Sequence, residues 1–401
     1  MPMGGPGSYL LGKEEEKELL DVIRNGYLSR YGKLGQDGFQ GKVLTFEKEM
    51  AERLNINYTF GCNSGTSALL CCLASLGIGA GDEVIVPGFT FVATYAAVIM
   101  SNAIPVLAEI DESLNMDPTR IEELITPRTK AIIPVHMHGN PADMDPIMEI
   151  AKKHNLHVIE DSCQSVGGSY KGTYLGGIGE IAAYSLNWYK TITCGDGGMV
   201  VTNSEDLYVR AYSFHDQAHR PARIDDYTNG RTLIGLDFRM NELSGAVCVA
   251  QGRKLLDLCE TLRAKKKIVK DIVKEKAPQI KFRKLNDPGE VGHIMCIIFD
   301  TADQASKFTE LTGYKSNADS GWHVYNNMEH VLTHQTATAA RCPFDCPRFP
   351  NKYEMKKNML PQTDDILARS FNITIKPIYT EEELVALGNK VADGINQAMQ
   401  A

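Results

Sequence analysis

Val158-Ile159-Glu160-Asp161-Ser162-Cys163-Gln164 is an apolar, partly β-branched run that breaks abruptly into polar residues. Four to five such residues followed by turn-forming ones read as a buried strand, here with a carboxylate at its carboxyl end. Similar short runs stand at residues 83–86, 131–135, 182–186 and 199–202, and helical patterns at 67–76 and 146–154 fall between them. Strands alternating with helices in this way predict an α/β fold with a mainly parallel central sheet and helices on both faces. Ligands of such sheets bind beyond the carboxyl ends of the strands, which is where Asp161 falls. Upstream, residues 14–25 read as a charged amphipathic helix, 26–41 as a Gly- and Tyr-bearing loop, and 46–54 as a second helix. Downstream, the apolar spacing of Leu243, Val247, Ala250, Leu255, Leu258 and Leu262 predicts one long helix over 241–274. Strands return at 293–299 and 372–375, with helices at 304–311 and 380–399. The 401 residues therefore divide into an N-terminal arm and large domain, 1–265, and a smaller C-terminal α+β domain, 266–401.

A formal net charge of −8 and a pI near 5.7 argue against a nucleic-acid surface, which would show as a basic excess. A single phosphate, in contrast, needs only a local nest of donors. No apolar run is long enough to span a bilayer. Residues 1–7 are Gly/Pro-rich and lack the apolar core of a signal peptide, so a reduced, cytoplasmic protein is expected. Of ten cysteines, most sit singly in apolar runs, where a thiol acts as a small hydrophobe. Cys342 and Cys346 have no second ligand pair at zinc-site spacing, so no metal is expected.

Three segments carry the chemistry. Asn63-Ser64-Gly65-Thr66-Ser67 leads straight into a helical pattern. Backbone N–H groups at a helix start, helped by the Thr66 and Ser67 hydroxyls, suit an anion, although Ser/Thr clusters also cap helices routinely. Asp161, at its strand end, could serve as a helix cap, a metal ligand or the partner of a protonated ring nitrogen. The third segment is Tyr184-Ser185-Leu186-Asn187-Trp188-Tyr189-Lys190-Thr191-Ile192-Thr193-Cys194-Gly195-Asp196-Gly197-Gly198. It puts Lys190 between an apolar strand and a Gly-rich turn. A lysine amine condenses with carbonyls once deprotonated, and glycines let the backbone pass close beneath a ligand.

Together these segments resemble the DegT/DnrJ/EryC1/StrS family of pyridoxal 5′-phosphate (PLP)-dependent sugar aminotransferases, within the aspartate-aminotransferase fold type I. The likeness extends from Gly12 to about Val391 and includes Gly81-Asp82-Glu83-Val84-Ile85-Val86-Pro87 and Pro134-Val135-His136-Met137. It implies that Lys190 holds the cofactor as a Schiff base and shuttles the substrate proton. It further implies that Asp161 pairs with the pyridine nitrogen and Gln164 with the ring hydroxyl. Thr66, Ser67 and Ser185 would hold the phosphate, and Phe91 would stack on the ring. An amino-acid donor, expected to be glutamate, and a keto- or aldehydo-sugar acceptor would react at an interface between two copies of the chain. Arg30, Arg239 and the tyrosines near residues 26–31, Tyr31 among them, are candidates for the donor's carboxylates. Within the family, the opening Pro6-Gly7-Ser8-Tyr9-Leu10-Leu11-Gly12, Lys190-Thr191-Ile192-Thr193-Cys194-Gly195 and Trp322-His323-Val324-Tyr325-Asn326-Asn327 are similar to the 8-amino-3,8-dideoxy-manno-octulosonate transaminases. That branch implies an 8-oxo-3-deoxy-octulosonate type of acceptor.

Two positions depart from the family pattern. Asn187 stands where many members have His, which alters a possible substrate contact. Asp237, in Gly235-Leu236-Asp237-Phe238-Arg239-Met240-Asn241, stands where members carry an Asn that reaches the phosphate in the neighbouring subunit. A carboxylate there is unfavourable unless it is protonated or turned toward a cation. Two other readings of these residues are disfavoured. A pyridoxamine-dependent sugar dehydratase would have His in place of Lys190, and a non-catalytic regulator would have lost Asp161 or Lys190. No G-x-G-x-x-G follows the first strand, which disfavours a nicotinamide enzyme.

Overall fold

The computed structural model describes residues 4–32, 34–35, 38–221, 233–337, 339–349 and 353–400, so the loop expected at 26–41 and the opening residues 1–7 are described only in part. Helices α1 (Lys13–Asn25) and α2 (Lys42–Leu54) come first. The central layer then forms from β1 (Tyr58–Cys62), α3 (Gly65–Ser75), β2 (Glu83–Pro87), α4 (Val92–Met100), β3 (Ile104–Ala108), β4 (Thr129–Ile132), α5 (Met144–His154) and β5 (His157–Asp161). A small hairpin, β6 (Ser169–Tyr170) and β7 (Thr173–Tyr174), precedes β8 (Ile181–Ser185), β9 (Gly198–Thr202) and α6 (Glu205–His215).

The seven-stranded sheet has the order β1-β9-β8-β5-β4-β2-β3, and β9 alone runs against its neighbours. Every residue of β2, β3, β8 and β9 is buried, as expected for strands covered by helices on both faces. β4 stops at Ile132, short of the expected 135, because Pro134 has no N–H to continue a ladder. A single bridge from Val135 to Asp161 carries the pairing one step further.

The long helix is α7 (Glu242–Lys276), which starts where the Asn241 side chain accepts from Ser244 N at 2.9 Å. At 35 residues it is roughly 50 Å long, and it runs unbroken through positions 265 and 266. As far as Leu262 it packs Leu255, Leu258 and Leu262 into the core beneath β8 and β9. Its second half turns Val269 and Val273 toward a separate core with Phe308, Phe371 and Ile395. That second core lies between an antiparallel sheet, β10 (Lys281–Phe282), β11 (Ile294–Ile298) and β12 (Ser370–Thr374), and helices α8 (Ala302–Thr312) and α11 (Glu381–Gln400). Short α9 (Glu329–Leu332) and α10 (Pro361–Arg369) complete the order. Among the described residues no helix is long and apolar enough to cross a membrane.

Candidate active site

A cavity of about 560 Å³ opens at the carboxyl ends of β5 and β8 and the start of α3. Asp161 reaches it as the last residue of β5, where the chain leaves the sheet. Its Oδ1 accepts from Cys163 N at 3.1 Å, closing a turn, and its Oδ2 accepts from the Thr94 hydroxyl at 2.7 Å. Thr94 pairs in turn with Thr90 at 2.8 Å. The carboxylate is almost wholly buried, with one bond to each oxygen and lone pairs to spare for a further donor.

At the start of α3, Ser64 is the N-cap and accepts from Ser67 N at 3.0 Å. The Ser67 hydroxyl turns to Asn63 Oδ1 at 2.6 Å and is not part of the cavity wall, whereas Thr66 and Gly65 are. Gly65 is required there: a Cβ would lie 2.7 Å from Ser185 Cβ and 3.1 Å from Cys163 Sγ. The helix N-terminus, with its unpaired N–H groups, is thereby brought against β8 with Ser185 beside it.

Lys190 follows a tight turn in which its N–H donates to Asn187 O at 3.0 Å. Its partly buried amine lines the cavity and has no hydrogen-bond or ion-pair partner among the described residues. Asn187 is spent on the turn: Nδ2 donates to Asp196 Oδ1 at 2.9 Å and Oδ1 accepts from Tyr189 N at 3.2 Å. An N-terminal arm backs this loop, with Gly5 N donating to Trp188 O at 3.0 Å and Gly7 N to Lys190 O at 3.3 Å. Gly5 packs so tightly that a Cβ would overlap the Tyr189 carbonyl.

Gln164 also lines the cavity, and its Oε1 accepts from His138 N at 3.1 Å. His138 is held at φ 54 and ψ 32, a left-handed conformation that costs a non-glycine residue about 1–3 kcal/mol. Gln164 and Arg283, whose Nη2 donates to His138 O at 3.4 Å, keep it there. Phe91 sits at the mouth, 40% exposed, with its ring centroid 5.2 Å from that of His323. Thr66, Phe91, Asp161, Gln164, Ser185, Asn187 and Lys190 thus share one wall.

Arg30 and Tyr31 are not brought there. Arg30 is buried against Glu47 (2.9 Å), Gly61 O (3.1 Å) and the Tyr212 ring. Burial works against its charge, yet the Glu47 carboxylate keeps the guanidinium more basic than usual. Tyr31 donates its hydroxyl to the buried Asp216. Arg239 bonds the same carboxylate at 2.8 Å and turns its other end to Asp237 Oδ2 at 2.6 Å. The charge of Asp237 is therefore met by a cation.

Sequence reasoning passed over Thr90, Thr94, His138 and His323. Thr90 and Thr94 stand one helical turn apart on either side of Phe91, and that spacing was the available signal. His138 stands two residues beyond the quoted His136 and becomes visible only through its backbone conformation.

The α/β sheet thus gathers at its strand ends a lysine unpaired among the described residues, a buried carboxylate and a helix start, groups chemically suited to a phosphorylated carbonyl compound. The chain belongs to the DegT/DnrJ/EryC1/StrS aminotransferase family, whose model matches residues 10–392. It is 37% identical over 260 residues to the GDP-perosamine synthase of Caulobacter vibrioides, covering 65% of this chain and 66% of that protein. It is 46% identical to the UDP-N-acetyl-3-dehydro-alpha-D-glucosamine 3-aminotransferase of Acidithiobacillus ferrooxidans over 57% of this chain and 62% of that one. The chain thus spans about two thirds of the length of these relatives. Among solved structures, NtdA from Bacillus subtilis with bound cofactor PMP superposes with a TM-score of 0.75 at 25% identity, covering 100% of this chain and 86% of that one.

Proposed function

We propose that the chain is a PLP-dependent aminotransferase acting on a sugar carbonyl. The observation that carries this reading is the unpartnered Lys190 amine sharing one cavity with buried Asp161 and the open start of α3. These residues fit a phosphorylated pyridine aldehyde. Thr66, Ser185 and the α3 N–H groups would hold the phosphate, with Ser67 bracing Ser64 and Asn63 behind them. Asp161 would retain a proton on the ring nitrogen, and Thr94 keeps its carboxylate oriented. Gln164 would meet the ring hydroxyl, and Phe91 would cover one ring face. Bound there, the cofactor supplies an aldehyde carbon and a ring that accepts electrons. Lys190 would move the proton from the donor's amine-bearing carbon to the cofactor's aldehyde-derived carbon in the first half-reaction, and from there to the acceptor's carbonyl carbon in the second.

We infer glutamate as donor, and a sugar acid of the octulosonate type as acceptor from the resemblance of residues 6–12, 190–195 and 322–327 to that branch of the family. The family likeness also supports a homodimer with the site at its interface. The Tyr189 side chain on the cavity rim is left 69% exposed, as an interface residue would be in an isolated chain. Lys190 itself disfavours the dehydratase reading.

The test uses purified protein loaded with PLP. A yellow protein is expected, bleached irreversibly by borohydride with the added mass on the Lys190 peptide, and glutamate should discharge the visible band. A protein that stays colourless with PLP and inert with glutamate would sink the proposal.

A further inference from the structure

A second cavity of about 250 Å³ shares Gln164, Tyr189, Lys190 and His323 with the first. Three parts of the chain build it: Tyr9 from the N-terminal arm, the Lys190 loop, and His293 and Lys376 from the edge of the C-terminal sheet, where Ile375 N donates to His293 O at 2.8 Å. No Asp or Glu among the described residues lines it. Lys376 has no carboxylate partner among the described residues and lies over the rings of Tyr9 and Tyr379, at 5.8 and 5.5 Å. Beneath the wall, Lys266 and Arg283 face the single carboxylate of Glu290 at 2.5 and 3.7 Å, so the floor carries an excess of positive charge.

The histidines in this wall add donors without charge. His138 Nε2 accepts from Asn372 Nδ2 at 2.9 Å, which leaves the proton of the neutral ring on Nδ1. The Nδ1 of His293 is buried and has no hydrogen-bond partner among the described residues. Burial first, and then Arg283, Lys266 and Lys190, push that imidazole down to about 3, so at neutral pH it adds no charge to the pocket. The volume lies below the roughly 300–1,000 Å³ of sites for drug-sized ligands and suits a compact acid.

We propose that this second cavity is a carboxylate subsite, in which Lys376 pairs with a carboxylate of a reacting substrate, His293 and His138 hydrogen-bond it, and the reactive carbon is thereby held at Lys190. The carboxylate belongs either to the donor amino acid or to an acidic sugar acceptor. The word reacting rests on the aminotransferase reading; the binding of a small acid does not.

The first experiment is titration calorimetry of the protein, with and without PLP, using glutarate and its neutral analogue glutaramide. Glutarate should bind and glutaramide should not. Lys376→Met should weaken glutarate at least tenfold, Lys376→Arg should retain it, and Thr374→Asp, which adds a negative charge at an exposed position on the rim, should weaken it without disturbing the core. In the two half-reactions, a KM raised by Lys376→Met only with glutamate assigns the carboxylate to the donor, and one raised only with the sugar acid assigns it to the acceptor. Glutarate affinity indifferent to both Lys376→Met and Thr374→Asp, in protein that takes up PLP normally, overturns this proposal alone. Failure to take up PLP, with charge-selective glutarate binding intact, overturns the aminotransferase reading and leaves the acid site standing.

Discussion

Arg30 shows how burial decides what a charged residue can do. Its guanidinium is satisfied by Glu47 and Gly61 O in the interior, and removing one partner of a buried pair typically costs about 3–5 kcal/mol. Arg30→Met should therefore lower stability by several kcal/mol in chemical denaturation, while the folded fraction keeps its KM for the amino donor. A donor KM raised tenfold with stability unchanged would return Arg30 to the substrate site. At Gly65 the constraint is steric. Gly65→Ala places a methyl 2.7 Å from Ser185 Cβ, pushing α3 off the sheet at the one place where its N–H groups face the cavity. Retention of PLP through gel filtration should fall by at least an order of magnitude, with a smaller effect on thermal stability.

Elements are positioned here by their ends. α3 is capped by Ser64, and Ser64→Ala should cost about 1 kcal/mol through the lost bond to Ser67 N, measurable by denaturant titration. The arm at residues 4–10 contributes only two backbone hydrogen bonds to the loop bearing Lys190, yet its close fit fixes that loop from behind. Gly5→Val should dislodge the arm, lower turnover roughly tenfold and expose the 187–191 backbone to hydrogen exchange, leaving the central sheet protected. Unchanged exchange in that loop would mean the arm is only an appendage.

For the whole molecule, acid sensitivity follows from histidines buried in neutral form. The His293 pKa is depressed to about 3 from 6.5, so the unfolded chain takes up a proton near pH 6.5 that the folded chain does not. Its contribution to stability is complete above pH 6.5 and is lost progressively as pH falls toward 3. His138 and His215 are shifted in the same direction, by burial first and then by nearby arginines. Denaturant titrations should show stability falling between pH 7 and 5, by on the order of 1 kcal/mol or more for each such group. His293→Gln should flatten that slope.

Much of the architecture was readable from residue order. Period-two and period-3.6 patterns report burial directly, so β2, β5, β8, β9, α3, α5 and α7 were all anticipated, and the polar residues at strand ends located Lys190, Asp161 and Thr66. The outlying strands β1 and β3 and helix α4 were missed. Tyr58-Thr59-Phe60-Gly61-Cys62 and Ile104-Pro105-Val106-Leu107-Ala108 are strands because of what they pair with, and α4 is apolar all round. Tertiary structure alone decided which charges are free. Arg30 and Arg239 are chemically suited to a substrate carboxylate, but partners distant in sequence or across a turn neutralise them first, and Asp216 takes the Tyr31 hydroxyl. Lys190 and Lys376 are left without carboxylate partners among the described residues, and Ser67 is turned from the cavity by a bond to Asn63. Residue types and their spacing determine what groups are present and on which strand end they stand. Whether a group is available depends on distances between segments tens to hundreds of residues apart, which exist only once the chain is packed.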